Sequence, residues 1–212
     1  MNEVWAVSDH HLDHANILTF VLDDGTKMRP FASLEEMQET MIERHNAVVK
    51  PQDKVYFLGD FVMKSKSLHL ARRFNGRKRL ILGNHDPELK SKTVMTADGQ
   101  PVKVSEYLQY FEEIYSSRLL DNLLFTHIPV HPDSLRIEWT NVHGHTHNNQ
   151  PQGALGTKYY NVCVEMTDYR PLTLDQIKSR IREQKERNQR LVIQHLLSMG
   201  AEVDADEIAK LS

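Results

Sequence analysis

Asp9-His10-His11, Gly59-Asp60, Gly83-Asn84-His85-Asp86, Thr126-His127 and His143-Gly144-His145 concentrate carboxylates, a carboxamide and imidazoles in five short stretches of the chain. Those are the ligand types that hard and borderline divalent cations take. Asp9 and His11, two apart on one loop, are placed to face one cation together. Asp60 is the natural bridge, because one carboxylate can span two cations and lower their repulsion. Asn84 adds a neutral amide oxygen, and His127, His143 and His145 complete the shells with neutral imidazoles. Two cations roughly 3.5–4 Å apart would clamp the attacking and leaving oxygens of an in-line displacement at phosphorus and make bound water more acidic. His85 has no ligand role left to fill. Its ring could protonate a leaving oxygen, with Asp86 orienting it or raising its pKa.

Singly, each stretch has a plainer reading. A lone His-Gly-His or Gly-Asp is usually a turn, and Asn84 or Asp86 could merely cap a helix. Turns do not explain why complementary ligands recur at successive strand ends. Val4-Trp5-Ala6-Val7 runs into Asp9, and Lys54-Val55-Tyr56-Phe57-Leu58 runs into Gly59-Asp60. Arg79-Leu80-Ile81-Leu82 leads to Gly83-Asn84, and Leu123-Leu124-Phe125-Thr126 leads to His127. All four are short apolar runs that read as buried strands. Ligands in open α/β sheets gather at that end, where several loops converge.

The elements between them suit parallel pairing. Ser33-Leu34-Glu35-Glu36 is a capping box ahead of a helix whose apolar positions are Leu34, Met37, Met41 and Ile42. Leu68, Leu70, Ala71 and Phe74 suggest a second helix, and Tyr107, Leu108, Tyr110 and Phe111 a short third. Strand–helix–strand repetition calls for right-handed crossovers. The polar stretch 90–100, with the turn signal Asp98-Gly99, reads as a loop or exposed hairpin. Further strands are expected near Ile114-Tyr115, Glu138-Trp139-Thr140 and Tyr159-Tyr160-Asn161-Val162. After Thr173-Leu174-Asp175-Gln176 the C-terminus turns helical, with an all-polar centre from Glu183 to Arg190. That tail crosses solvent, packs on a second subunit as a homo-oligomer contact, or folds back as a helical hairpin.

Composition sets outer bounds. The chain has 212 residues, 26% charged and 40% hydrophobic, which is ordinary for one soluble globular domain. We divide it into a domain over residues 1–170 and a C-terminal helical extension over 171–212. A net charge of -3 argues against broad adhesion to nucleic acid or anionic membrane. One cysteine, Cys163, excludes an internal disulfide and points to the reducing cytoplasm. Neither a signal peptide nor a membrane span is evident.

Read in order, the series Asp-Xaa-His, Gly-Asp, Gly-Asn-His-Asp, His and His-Gly-His resembles the calcineurin-like metallophosphoesterase superfamily from about Val4 to Val164. The resemblance implies an α/β fold, a four-layer αββα sandwich of two mixed sheets. It implies two divalent cations, manganese foremost, with iron, nickel, cobalt or zinc as alternatives. Asp9, His11, Asp60 and His145 would hold the first ion, and Asp60, Asn84, His127 and His143 the second. A metal-bridging hydroxide would attack phosphorus while His85 protonates the departing alkoxide.

Ser8-Asp9-His10-His11-Leu12-Asp13-His14-Ala15-Asn16-Ile17, Arg29-Pro30-Phe31 and Asn161-Val162-Cys163-Val164-Glu165 are similar to a small bacterial and bacteriophage branch. On that likeness His14, Asn16, Arg29 and Asn46 are expected around the phosphate, Arg29 as a bidentate partner. The serine/threonine protein phosphatases carry an Asp-Arg-Gly after their Gly-Asp, whereas Gly59-Asp60 continues Phe61-Val62-Met63-Lys64, without that arginine. Met63 stands where purple acid phosphatases carry a tyrosine ligand. The expected substrate is a small, nucleotide-like phosphate ester or phosphodiester. Two alternatives are a nuclease for single-stranded ends, gripping the backbone with Arg72, Arg73, Arg77, Lys78 and Arg79, and a non-catalytic scaffold.

Overall fold

The computed structural model describes residues 2–86, 104–149 and 158–200; the stretch 90–100, expected to be a loop or hairpin, lies outside them. Among the described residues nine strands form in chain order: β1 (Val4–Val7), β2 (Lys54–Phe57), β3 (Arg77–Ile81), β4 (Glu113–Tyr115), β5 (Arg118–Leu120), β6 (Leu123–Phe125), β7 (Thr140–His143), β8 (Tyr159–Asn161) and β9 (Leu172–Thr173). They make two mixed sheets, ordered β4-β3-β2-β1-β9 and β5-β6-β7-β8. In the first sheet β1 to β4 are parallel and β9 runs antiparallel. In the second, β6, β7 and β8 are parallel and β5 opposes them.

Alternation along the central strands explains how one sheet serves two cores. Trp5, Val7, Val55, Phe57 and Leu80 face the cluster that includes Met37, Met41 and Ile42 of helix α1 (Leu34–Asn46). Ala6, Tyr56, Leu58 and Ile81 face the other way, onto Leu123, Phe125 and Val142 of the second sheet. Helices therefore flank stacked sheets, the α/β arrangement expected. Ser33 starts α1 by accepting the Glu36 N–H at 3.0 Å.

A few element assignments differ in detail from expectation, and the expected C-terminal helical tail takes one of the forms left open for it. The segment holding Leu68 and Ala71 is a 3-10 helix, Ser65–Arg73, rather than an α-helix. Glu138 and Trp139 lie in a turn, and the strand begins at Thr140. The C-terminal helix α3 (Leu174–Ser198) is one continuous rod rather than a hairpin. The short helix expected around Tyr107 forms as α2 (Val104–Tyr107), but it ends there, so Leu108 and Tyr110 lie in the turn that follows and Phe111 just after it.

Thr173 and Gln176 form a reciprocal capping box that starts α3. Ile177 and Ile181 anchor its first half in the inter-sheet core, and the polar centre that follows faces water. Among the described residues no helix is long and apolar enough to cross a membrane.

Candidate metal centre

The C-terminal ends of β1, β2 and β3 lie side by side, because the parallel register sets Val7 against Phe57 and Phe57 against Leu80. The loops that follow are then laced together by their backbones. Asp9 N–H donates to the Gly59 carbonyl at 3.1 Å and His11 N–H to the Asp60 carbonyl at 2.9 Å. Ser8 N–H donates to Val162 O at 3.0 Å and Gly144 N–H to His127 O at 2.9 Å, which brings the second sheet's loops to the same place.

Close approach dictates the motif glycines. A Cβ on Gly144 would sit 2.0 Å from Ser8 Oγ and 2.3 Å from Asp9 Oδ2, and one on Gly83 would sit 2.3 Å from both Asp60 N and Oδ1. The loops also store backbone strain. Asp9, His11, Asp60, His145 and His147 all adopt left-handed backbone, at φ 61, 49, 52, 69 and 48°. Such a conformation is uncommon away from glycine and clusters at functional sites.

Around this frame the side chains converge. Asp9 Oδ2 accepts the His145 N–H at 2.8 Å and the Cys163 thiol at 3.2 Å, with Ser8 Oγ 2.5 Å away. Its other oxygen, Oδ1, is buried without a hydrogen-bond partner and lies 3.5 Å from His11 Nε2, which is likewise unpartnered. Asp60 Oδ1 accepts the His85 backbone N–H at 2.6 Å. Asp60 Oδ2 is left amid three imidazoles: His127 Nε2 at 3.4 Å, His11 Nε2 at 3.5 Å and His85 Nε2 at 3.8 Å. His127 gives its Nδ1 proton to Leu58 O at 2.7 Å, which turns Nε2 inward, 2.8 Å from Asn84 Oδ1. Ligating histidines are commonly fixed by such an outer partner.

These inward atoms fit divalent cations. Asp9 with His147 and Cys163, His11 with Asp60 and His85, and Asp60 with His127 and His145 each gather ligand atoms within 4.8 Å of one another. Electrostatics agree with that reading. Burial opposes ionisation of Asp9, yet facing His11 and the nearby His127 and His147 hold its carboxyl well below the usual range. Burial likewise opposes charge on Asp60, and His127 more than compensates. Burial would also depress His127, but Asp60 and Asp9 lift it to about 9, so a proton there balances carboxylates that a cation would otherwise neutralise.

Two histidines change roles relative to the sequence reading. His143 ends β7 with its ring fully buried, Nδ1 2.8 Å from Gly144 O and the ring near Tyr159, and it belongs to none of the ligand groups. Its Nε2 is buried without a hydrogen-bond partner. His145 gathers with His127 and Asp60, on the side assigned to the second ion, rather than with Asp9 and His11. The ring beside Asp9 and His11 is His147, which sequence reasoning missed: its Nε2 is 4.0 Å from Asp9 Oδ1 and its ring centroid 5.2 Å from His11. His145 and His147 repeat the spacing and left-handed backbone of Asp9 and His11, a signal the sequence did carry.

Arg29 is a structural clamp, not a phosphate contact. It is fully buried, with Nε 2.6 Å from Glu165 Oε1 and its terminal nitrogens donating to the carbonyls of Asp9 and His10 at 2.5 and 2.8 Å. A guanidinium engaged on three sides below the loop offers no fork to a substrate. Asn46 is also structural: its amide donates to Arg73 O at 2.8 Å and accepts Asn75 N–H at 2.8 Å. Asp86 does not reach for the His85 ring through either oxygen, because Oδ2 accepts the Asp60 and Gly83 N–H groups at 2.8 and 2.9 Å and Oδ1 lies 3.4 Å from Phe61 N. Burial, then the Asp60 charge, raises its carboxyl to about 7. His14 stays beside the site, 5.6 Å from His11 between ring centroids, and Asn16 is exposed at the start of a 3-10 helix, Ala15–Thr19.

A profile of calcineurin-like phosphoesterases matches residues 3–198. The chain belongs to the calcineurin-like phosphoesterase family. Among its relatives, the uncharacterized protein MJ1445 of Methanocaldococcus jannaschii is 32% identical over 193 residues, covering 87% of this chain and 94% of the archaeal one. The gene 66 protein of Mycobacterium phage L5 is 29% identical over 153 residues, covering 69% of this chain and 67% of its own. In fold the chain is similar to the crystal structure of AQ665, a protein of unknown function from Aquifex aeolicus. The TM-score is 0.61 at 22% identity, covering 84% of this chain and 99% of that one. A calcineurin-like phosphoesterase implies metal-dependent phosphoester hydrolysis, and the ligand groups above are where such metals would bind.

Proposed function

We propose that this protein is a dinuclear-metal phosphoesterase acting on a small, nucleotide-like phosphate ester or phosphodiester. The observation that carries the reading is the setting of Asp60, a buried carboxylate shared by two ligand groups, whose Oδ2 lies within 3.8 Å of three imidazole nitrogens. Asp9, His11, Asp60 and His147 would hold one ion, and Asp60, Asn84, His127 and His145 the other. When bound, two divalent ions supply positive charge for the phosphoryl oxygens and make water acidic enough to attack near neutral pH. Mixed oxygen and nitrogen donors suit manganese, and also iron, cobalt, nickel or zinc.

The chain's own residues do the rest. The Asp86 carboxylate fixes the Gly83 and Asp60 backbones, so that Asn84 and Asp60 meet at one spacing. The His85 ring, 29% exposed and 3.8 Å from Asp60 Oδ2, stands at the open side of the site. From there Nε2 donates a proton to the departing oxygen.

The nuclease alternative is weakened by where its cations sit. Arg73 pairs with Glu39, Arg77 with Glu112, and Arg79 with Glu112 and Glu113. Lys78 donates to the carbonyls of Phe74 and Gly76, and Arg72 covers the Tyr110 ring. A run engaged with its own neighbours offers little charge to a nucleic-acid backbone.

A matrix of divalent metals against nitrophenyl mono- and diesters, mononucleotides, cyclic nucleotides and oligonucleotides, applied to metal-stripped protein, tests the proposal. Metal-dependent turnover of small esters supports it. Turnover confined to oligonucleotides, or none with any metal, contradicts it.

A further inference from the structure

Beside the metal centre opens a cleft of 570 Å³ whose walls are unlike the centre itself. One wall is a tight turn: Met28 N–H donates to Phe20 O at 2.9 Å and Leu22 N–H to Thr26 O at 2.8 Å. Thr26 N–H and hydroxyl both donate to Asp24 Oδ1, at 2.9 and 2.7 Å, which fixes the tip. The wall is thus preformed, yet it presents apolar surface to water, with Phe20 46% and Val21 62% exposed. His147 and the two amides that follow it, Asn148 and Asn149, line the rest of the cleft.

The cleft is continuous with the site. His147 belongs to both, and the rings of His11, His14 and Phe20 form a chain with centroid separations of 5.6 and 5.9 Å leading outward. Asn148 Oδ1 is buried with no hydrogen-bond partner, an acceptor that calls for an N–H or O–H donor. Asp23 and Asp24 line the outer part, and among the described residues neither lysine nor arginine lines the cleft.

Each feature restricts what binds there. An exposed aromatic ring in a concave wall offers a stacking face to a flat ring. An unpaired amide oxygen selects a ligand that donates. Two carboxylates without a balancing cation repel any phosphate beyond the one at the metals. We infer that this cleft holds the organic part of the ester, and that this part is a single uncharged nucleoside rather than an oligonucleotide or a nucleoside polyphosphate. The inference rests on the phosphoesterase reading and assigns its substrate class.

Two diesters with one leaving group test it: thymidine 5′-(4-nitrophenyl) phosphate and methyl 4-nitrophenyl phosphate, with metal-loaded protein. The wild type should favour the thymidine ester in kcat/KM by about tenfold, the scale of one base–aromatic stack. Phe20→Ala, at an exposed position that tolerates truncation, should lower kcat/KM for the thymidine ester about tenfold more than for the methyl ester. A 3′-phosphate on the thymidine should reduce turnover by the wild type, and Asp23→Lys should restore part of it. An unchanged ester ratio in Phe20→Ala, or preference for the 3′-phosphorylated ester, overturns the inference. If the wild type cleaves neither ester, the metal-by-substrate matrix decides the phosphoesterase reading separately, and binding of thymidine 5′-monophosphate decides the cleft. About tenfold weaker binding by Phe20→Ala upholds it, and equal binding by both proteins overturns it.

Discussion

Glu165 Oε1 accepts the Nδ1 proton of His147 across 3.0 Å, and that one bond ties a proposed metal ligand to the protein's most deeply buried guanidinium. The same carboxylate oxygen holds Arg29, which grips the carbonyls of Asp9 and His10. One buried ion pair thus sets both the ring of His147 and the loop that carries Asp9 and His11. Burial disfavours the charge on Glu165, but Arg29 and His147 hold its carboxyl below the ordinary value. On the proposed assignment the pair would position the first ion's ligands, His147 and the loop of Asp9 and His11, and it makes no hydrogen bond with His127, Asn84 or His145.

Glu165→Gln is accordingly expected to weaken one of two metal-binding steps by about 10–100-fold, the usual cost of losing an outer partner of a ligating histidine. Full removal, as in Glu165→Ala, would leave Arg29 buried and unpaired, which costs about 3–5 kcal/mol and confounds the result with unfolding. Manganese titration by calorimetry, beside a thermal melt, checks this. Two ions bound with wild-type affinities would contradict it.

His147→Ala and His143→Gln should separate cleanly. The first removes a ligand and should lower bound metal from about two ions towards one per chain by elemental analysis. The second alters a buried ring at the end of β7, so it should lower the melting temperature while metal content stays at the wild-type level. The reverse pattern would restore His143 as a ligand.

That exchange shows what the sequence made legible. Strand ends could be read because β1, β2, β3 and β6 are short apolar runs that stop at glycine or at a polar residue. Asp9, His11, Asp60, Asn84 and His127 lie just past those ends. His143 reads as a ligand through the His143-Gly144-His145 motif, although β7 runs through it and the histidines just past the strand end are His145 and His147. Arg29 was not legible, because its partner Glu165 lies 136 residues away and only the folded chain brings them together. The 3-10 geometry of Ser65–Arg73 was hidden for a similar reason: its apolar spacing suits either helix, and packing of Leu68, Ala71 and Phe74 on the first sheet decides.

His85→Ala should keep its metal and lose activity according to the leaving group. Alkyl phosphodiesters, whose alkoxide needs a proton, should slow by about 100-fold or more, within the usual range for general-acid catalysis. Nitrophenyl esters should slow only a few-fold. Equal losses on both would show that the ring binds or positions rather than donates.

Acid should destabilise the fold through His45, which belongs to none of the proposed ligand sets. His45 is buried, stacks on Phe57 and sits 3.0 Å from Asn75 O through Nε2. Burial, aided by the Lys78 charge, lowers its pKa to about 4 from the usual 6.5. Below pH 6.5 the unfolded chain takes up a proton that the folded chain excludes, so stability falls as pH drops from 6.5 towards 4. Between pH 6.5 and 5 one such group costs about 1.5 kcal/mol. Urea unfolding at both pH values should show a loss smaller by that amount in His45→Phe, which cannot take up the proton. Identical losses in both proteins would contradict it.

The bridging position of Asp60 is the claim on which the rest depends, and Asp60→Asn tests it most directly. The variant keeps the side chain's size and removes the charge that two cations would share. Metal content and turnover of bis(4-nitrophenyl) phosphate, measured on the same samples of variant and wild type, are the readout. About two ions and metal-dependent turnover in the wild type are predicted, with fewer than two ions and turnover reduced by at least about 100-fold in the variant. A variant that binds two ions and turns over at the wild-type rate would contradict the account.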